Sequence, residues 1–201
     1  AELSQVDYTF LETLLEEKGI TEYDSCFFYT SFPQKSDFDR RIKYDFPVTA
    51  MSLSDFNRLL NMRGTKPVQL QEGTFAVQWA ARTEESTIRE FTEEHQTLAT
   101  DGGVLTLAED GILREELGEY IYNSYVDALY IVPDAVFEKL IPCSVNGMIK
   151  TKEPIAYAAA RELEVCFLER FSEDAGEGLR CGIRLSTVET NEVLWSMFIL
   201  R

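Results

Sequence analysis

The residue types that most often perform catalysis are sparse in this chain. His95 is its single histidine, so a Ser-His or Cys-His nucleophile pair would have to include it. His95 follows Glu93 and Glu94 in an acidic segment, where we expect it to complete the apolar side of a helix or to lie exposed among these acids. Neither GxSxG nor HExxH occurs in the sequence. We therefore predict no catalytic residue and no enzyme activity.

Metal and nucleotide sites are not predicted either. The cysteines Cys26, Cys143, Cys166 and Cys181 lack the CxxC spacing of a zinc site. The glycines form neither GxGxxG nor GxxxxGK, so we expect no phosphate-binding loop and no cofactor. Cys166 and Cys181 lie in two strand-like runs joined by a glycine-rich turn. A disulfide across such a hairpin is one alternative, and buried thiols that act as small hydrophobic residues are the other.

Carboxylates and aromatic residues could also form a site. Two carboxylates can act as the acid and base of a glycosidase, but in a chain with 35 acids such pairs are expected by chance. The aromatic residues Trp79, Tyr120, Tyr122, Tyr125 and Tyr130 could line a groove. Aromatic residues in strand-like segments more often belong to the core, so we assign them to the core and predict no binding residue.

The charge of the chain excludes one class of partner. Its 35 acidic and 19 basic residues give a net charge of −16, which repels nucleic acid and anionic lipid surfaces. Residues 82–120 alone hold 11 acids against three bases. This segment is interpreted either as a solvated face that maintains solubility or as a surface that attracts a cationic ligand such as a basic peptide.

Hydrophobic patterns predict helices and strands that alternate irregularly along the chain. Helical periodicity is found in residues 7–18, 52–63, 83–96, 135–141, 152–161 and 187–200. Strand-like runs are found in residues 25–32, 46–51, 68–70, 74–79, 104–107, 127–132, 163–171 and 179–186. This order favours an α+β fold with a largely antiparallel sheet and interleaved helices over a doubly wound fold. We expect a single domain, residues 1–201, with two subdomains of about 1–80 and 81–201 as the alternative.

Several segments share a pattern with a known family. The first, SLSDFNRLLNMRGTKPVQLQEGTFAVQW, includes Ser52, Asp55, Leu59, Gly64, Leu70, Glu72 and Gly73. The others are GGVLTLAEDG, then IYNSYVDALYIVPDAVFEKL with Val132, Pro133, Asp134, Val136 and Leu140, and RLSTVETNEVLWSMF. With these segments, the chain from Phe46 onward resembles the large extracytoplasmic loop of FtsX-like permeases, most closely the bacitracin-export and peptide-resistance type of Gram-positive bacteria.

The resemblance implies a domain between two transmembrane helices of an ABC transporter permease, on the extracytoplasmic face of the cell membrane. It implies a role in sensing or exporting antimicrobial peptides, with a cationic peptide or a peptide–lipid complex as ligand. The implied partners are a separate ATPase subunit and a membrane histidine kinase. The family has no fixed binding residues, so the resemblance implies none here. The alternative is a free-standing module whose acidic segment binds a basic protein.

Overall fold

The computed structural model describes residues 12–31, 35–36, 48–94, 96–100, 103–117, 128–140, 142–174, 179–185 and 192–199. The helices are α1 (12–17), α2 (Leu53–Met62), α3 (Glu85–Glu94), α4 (Asp134–Phe137) and α5 (Tyr157–Asp174). The strands are β1 (Tyr23–Ser31), β2 (Lys35–Ser36), β3 (Val48–Ser52), β4 (Thr74–Trp79), β5 (Thr97–Thr100), β6 (Gly103–Leu113), β7 (Ala128–Val132), β8 (Pro142–Thr151), β9 (Leu179–Leu185) and β10 (Glu192–Ile199). Interleaved helices and mixed, largely antiparallel strand pairing confirm the α+β class.

The chain divides into two compact units. One comprises Ala1–Cys26 with Ser144–Arg201, and the other is the continuous stretch Phe27–Cys143. This division differs from one near residue 80, and strand pairing gives the reason. Strand β4 ends at Trp79 and pairs with β6 and β7, which both follow it in sequence, so a boundary at residue 80 would separate hydrogen-bonded strands.

The unit Phe27–Cys143 is built on a mixed sheet. Its strands lie in the order β2, β5, β6, β4, β7, β3 and β1. The pairs β3/β7 and β4/β6 are parallel, whereas β1/β3, β4/β7, β5/β6 and β2/β5 are antiparallel. Strands β1 and β3 lie in the two strand-like runs predicted for residues 25–32 and 46–51. The apolar run in β7 is buried at all five positions, as expected for a strand covered on both faces.

The core on one face of this sheet is rich in aromatic residues. Alternate residues of β4 and β7 point to that face, where the rings of Phe75 and Tyr130 stack with centroids 5.9 Å apart. Phe91 of α3 packs edge-to-face on Trp79, with centroids 5.0 Å apart, and Ile88 of α3 belongs to the same buried cluster. The apolar stripe predicted for this helix therefore fixes α3 on the sheet.

Helix α2 has the boundaries that its sequence specifies. Ser52 is its N-cap: the Asp55 amide donates to Ser52 Oγ at 3.0 Å, and the Ser52 hydroxyl donates to Asp55 Oδ2 at 3.1 Å. Phe56 and Leu59 lie on its buried side. After the helix, Gly64 takes a φ of +72°, a conformation that glycine adopts without steric cost. The helix predicted for residues 52–63 is confirmed, with Ser52 as its N-cap.

Residues 68–70 do not form the strand that their composition suggests. They belong to an irregular segment, residues 65–71, that is held by the side chain of Asn57. The Val68 amide donates to Asn57 Oδ1 at 2.8 Å, and Asn57 Nδ2 donates to the Val68 carbonyl at 3.0 Å. Because this amide side chain pairs with both backbone groups of Val68, they are satisfied without a neighbouring strand.

The other unit contains α1 and an antiparallel group of strands. Strand β10 lies between β8 and β9 and is antiparallel to both, so β8 and β9 run parallel to each other. Parallel strands need a long crossover connection, which the 18 residues of α5 provide. Helix α1 ends as predicted before Gly19, whose φ is +73°. Residues 7–11, which were also predicted as part of this helix, lie outside the described residues.

Two predictions in this unit are wrong. Residues 163–171, predicted as a strand, are part of α5, because no glycine or proline interrupts the chain between Tyr157 and Asp174. Residues 187–200, predicted as helical, contain β10. A run of β-branched, aromatic and apolar residues suits a strand paired on both sides, and tertiary pairing overrides the weak helical periodicity of this segment.

Candidate ligand-binding surface

Helix α3 presents its charged side to solvent. Ile88 and Phe91 are buried in the core, which leaves Glu85, Arg89 and Glu93, spaced four residues apart, exposed on the other side. The same segment that fixes the helix on the sheet therefore displays its acids outward.

The start of α3 is held by Arg114, which follows the end of β6. Arg114 Nη1 donates to Glu85 Oε1 at 2.7 Å, and Nη2 donates to the carbonyls of Ala81 and Thr83 at 3.0 and 3.1 Å. A carboxylate in the first turn is also favoured by the helix dipole. Glu85 is therefore stabilised at the position it occupies in the first turn.

The last turn of α3 has the opposite electrostatic character. It carries Glu93 as an exposed acid and contains no basic residue. The C-terminal end of a helix dipole is negative and is stabilised by cations, by about 0.3–1 kcal/mol each. The carboxylate of Glu93 therefore lies at the end of the helix where the dipole disfavours a negative charge.

A bulge in β6 adds two more exposed acids. The register between β4 and β6 passes from Phe75/Leu107 to Val77/Ile112, so residues 108–111 of β6 stand against a single residue of β4. Glu109 and Asp110 are exposed in this bulge. The Leu107 amide, at the beginning of the bulge, donates to the carbonyl of Gln96 at 2.8 Å. This bond places the bulge beside the exit of α3.

The bulge closes tightly on Gly111, which is buried. A Cβ atom at this position would lie 2.8 Å from the Ala108 carbonyl oxygen and 3.1 Å from Leu107 Cδ1. Contacts this short are not tolerated, so glycine is needed for the bulge to turn back into the ladder and display Glu109 and Asp110.

The segment after β6 is fixed by a buried glutamine. Gln78, fully buried in β4, donates from Nε2 to the Glu115 and Trp79 carbonyls at 2.8 Å each and accepts from the Glu115 amide at 3.2 Å. Glu116 next to this anchor is exposed. We define the acidic surface as the exposed acids of α3 and the residue before it, of the β6 bulge and of this segment: Glu84, Glu85, Glu90, Glu93, Glu109, Asp110 and Glu116.

Comparison with known proteins finds no relative of the chain. No protein-family model matches the sequence, and neither the curated proteins nor the solved structures contain a significant match. The function has to be inferred from the residues and geometry of the chain itself.

The remaining candidate site residues are distributed as follows. Trp79 and Tyr130 are core residues, and burial raises the pKa of the Tyr130 phenol far above its usual range, so that it stays protonated. His95, Tyr120, Tyr122 and Tyr125 lie outside the described residues. Within the described ranges, no group of three or more His, Cys, Asp or Glu residues could hold a metal ion.

The cysteine hairpin is not formed. Cys166 lies in α5 and is a free thiol, while Cys181 lies in β9 at the position paired with Met197 of β10. The predicted hairpin between the two cysteine segments is wrong because the first segment is helical. A disulfide between Cys166 and Cys181 is thereby excluded in this structure.

A second polar group was not predicted from the sequence. It lies where the parallel strands β3 and β7 end. The Ser54 amide donates to Asp134 Oδ1 at 3.0 Å, and the Ser54 hydroxyl donates to Asp134 Oδ2. Asp134 therefore caps α2 from another part of the chain, opposite the positive end of the helix dipole. This carboxylate has a structural role, as Glu85 does at the start of α3.

Among the described residues, no helix has both the length and the apolar character that crossing a membrane requires.

Proposed function

We propose that this chain is a partner-binding domain whose acidic surface binds a cationic ligand, and that it acts without catalysing a reaction. The observation that carries the proposal is the last turn of α3. Glu93 is exposed there without a basic residue in the turn, and the β6 bulge, whose Leu107 amide donates to the Gln96 carbonyl after α3, displays Glu109 and Asp110. A local arrangement that costs stability is expected where it serves binding.

The charge of the whole chain supports the same ligand class. A net charge of −16 attracts cations over a distance set by ionic strength, about 8 Å at physiological salt and about 30 Å at 0.01 M. A positively charged peptide would be steered to the surface and held by several carboxylates at once. A polyanion would be repelled.

We further propose that the domain is the extracytoplasmic ligand-sensing domain of an FtsX-like ABC transporter permease, with a role in antimicrobial-peptide sensing or export. Support comes from the motif residues that the resemblance rests on. Ser52 and Asp55 cap α2, Gly64 has the positive φ that ends it, and Val132 and Pro133 lead from β7 into α4. In this proposal, an ATPase subunit and a membrane histidine kinase act through the rest of the permease.

Binding can be tested with decalysine as the cationic probe and decaglutamate as the anionic control, by isothermal titration at low and physiological salt. We expect decalysine to bind, to bind more weakly as salt rises, and decaglutamate not to bind. In the double variant Glu93→Lys/Glu109→Lys, affinity for decalysine should fall about tenfold or more, which corresponds to about 1.4 kcal/mol.

The matched control is Glu16→Lys/Glu17→Lys, which makes the same change in net charge in exposed residues at the end of α1. If the acidic surface is the binding site, the control should lose less than about threefold in affinity, a small effect of long-range charge alone. Equal losses in the two double variants, with unchanged circular dichroism, would mean that net charge and not this surface determines binding.

The permease assignment has a separate test in the reading frame that encodes this chain. Two flanking hydrophobic segments of about 20 residues each would support the transporter proposal. A frame with no such segments would favour the free-standing interaction module, and it would not affect the proposal that the acidic surface binds a cationic ligand. The two experiments can fail independently, because one tests the ligand class and the other tests the cellular setting.

A further inference from the structure

We draw no further inference here: the strongest candidate, the outer edge of strand β9 in the unit that contains α5, is a sheet edge for which nothing in the described part of the chain shows what covers it.

Discussion

Replacement of Gln78 by methionine should destabilise the unit Phe27–Cys143 by about 3 kcal/mol. Methionine has nearly the same length and fills the same space, but it removes the three hydrogen bonds to the backbone of Glu115 and Trp79. A typical hydrogen bond contributes about 1 kcal/mol net, and a buried group left without a partner costs about 1–3 kcal/mol. Because Gln78 is fully buried, water cannot substitute at its position.

Urea unfolding followed by tryptophan fluorescence measures this loss. For an m-value of about 3 kcal/mol per molar urea, the midpoint should fall by about 1 M. Hydrogen exchange at the Glu115 amide should accelerate, because that amide donates to Gln78. The control is Gln71→Met at an exposed position, which should change stability by less than about 0.5 kcal/mol.

The variant Gln78→Glu adds a pH-dependent test of the same contacts. A carboxylate cannot donate to the two carbonyls, and its burial would raise its folded-state pKa above the ordinary value of about 4.3. A group with a raised folded-state pKa contributes stability below its unfolded pKa and loses it as pH rises. Stability should therefore fall between about pH 4 and pH 7. A pH-independent variant, or equal effects at Gln78 and Gln71, would refute the assignment of these hydrogen bonds.

Three further predictions concern individual contacts. Gly111→Ala should lower the free energy of unfolding by about 1–3 kcal/mol because its Cβ has no room in the β6 bulge. The control Glu109→Ala in the same bulge should lower it by less than about 0.5 kcal/mol, and urea unfolding measures both values. Asn57→Ala should lower the free energy of unfolding by about 1–3 kcal/mol and should accelerate proteolysis in residues 65–71. An unchanged cleavage rate would contradict the role of Asn57 in holding this segment. Glu162→Gln should return the Lys18 pKa toward its ordinary value in an NMR titration, because the Glu162 carboxylate raises it through a hydrogen bond and charge, and an unaltered Lys18 titration would refute the pairing.

The pair formed by Lys18 and Glu162 also has a defined pH window. The hydrogen bond from Lys18 lowers the Glu162 pKa, so the contribution of Glu162 is present above its unfolded pKa and is lost as pH falls through the folded one. The raised pKa of Lys18 gives a contribution that is lost as pH rises through it. The pair therefore acts between the two pKa values, and because both groups are solvent-exposed its effect should weaken with added salt.

Local sequence signals predicted those elements whose boundaries are set by local chemistry. Helix α2 is an example, since Ser52 Oγ accepts from the Asp55 amide and Gly64 follows the helix end with a positive φ. Strand β7 is another, because a short apolar run between Asp127 and Pro133 has few alternatives. For α2 these interactions lie within a few residues of one another, and for β7 the apolar run by itself indicates a strand buried on both faces.

The errors arise where distant partners decide the structure. Strand β10 is a strand because β8 and β9 flank it, and neither pairing can be seen in the residues of β10 alone. The division into units is discontinuous in sequence, so no local change in composition marks it. The roles of Arg114 and Asp134 have the same origin, because each contacts backbone that lies 31 or more residues away in the chain.

The acidic segment was recognised from composition, but composition does not separate acids that serve structure from acids that serve binding. The structure distinguishes the two kinds of acid in α3. Glu85 forms an ion pair with Arg114 and lies at the N-terminal end of the helix, where the dipole favours a carboxylate. Glu93 is exposed at the unfavourable end. Glu93→Lys should therefore raise helix stability by about 0.3–1 kcal/mol, less about 0.2–0.5 kcal/mol for the like-charge pair it makes with Arg89 four residues earlier, while it lowers affinity for decalysine. If the segment serves solubility alone, the same substitution would stabilise the protein with no specific loss of binding.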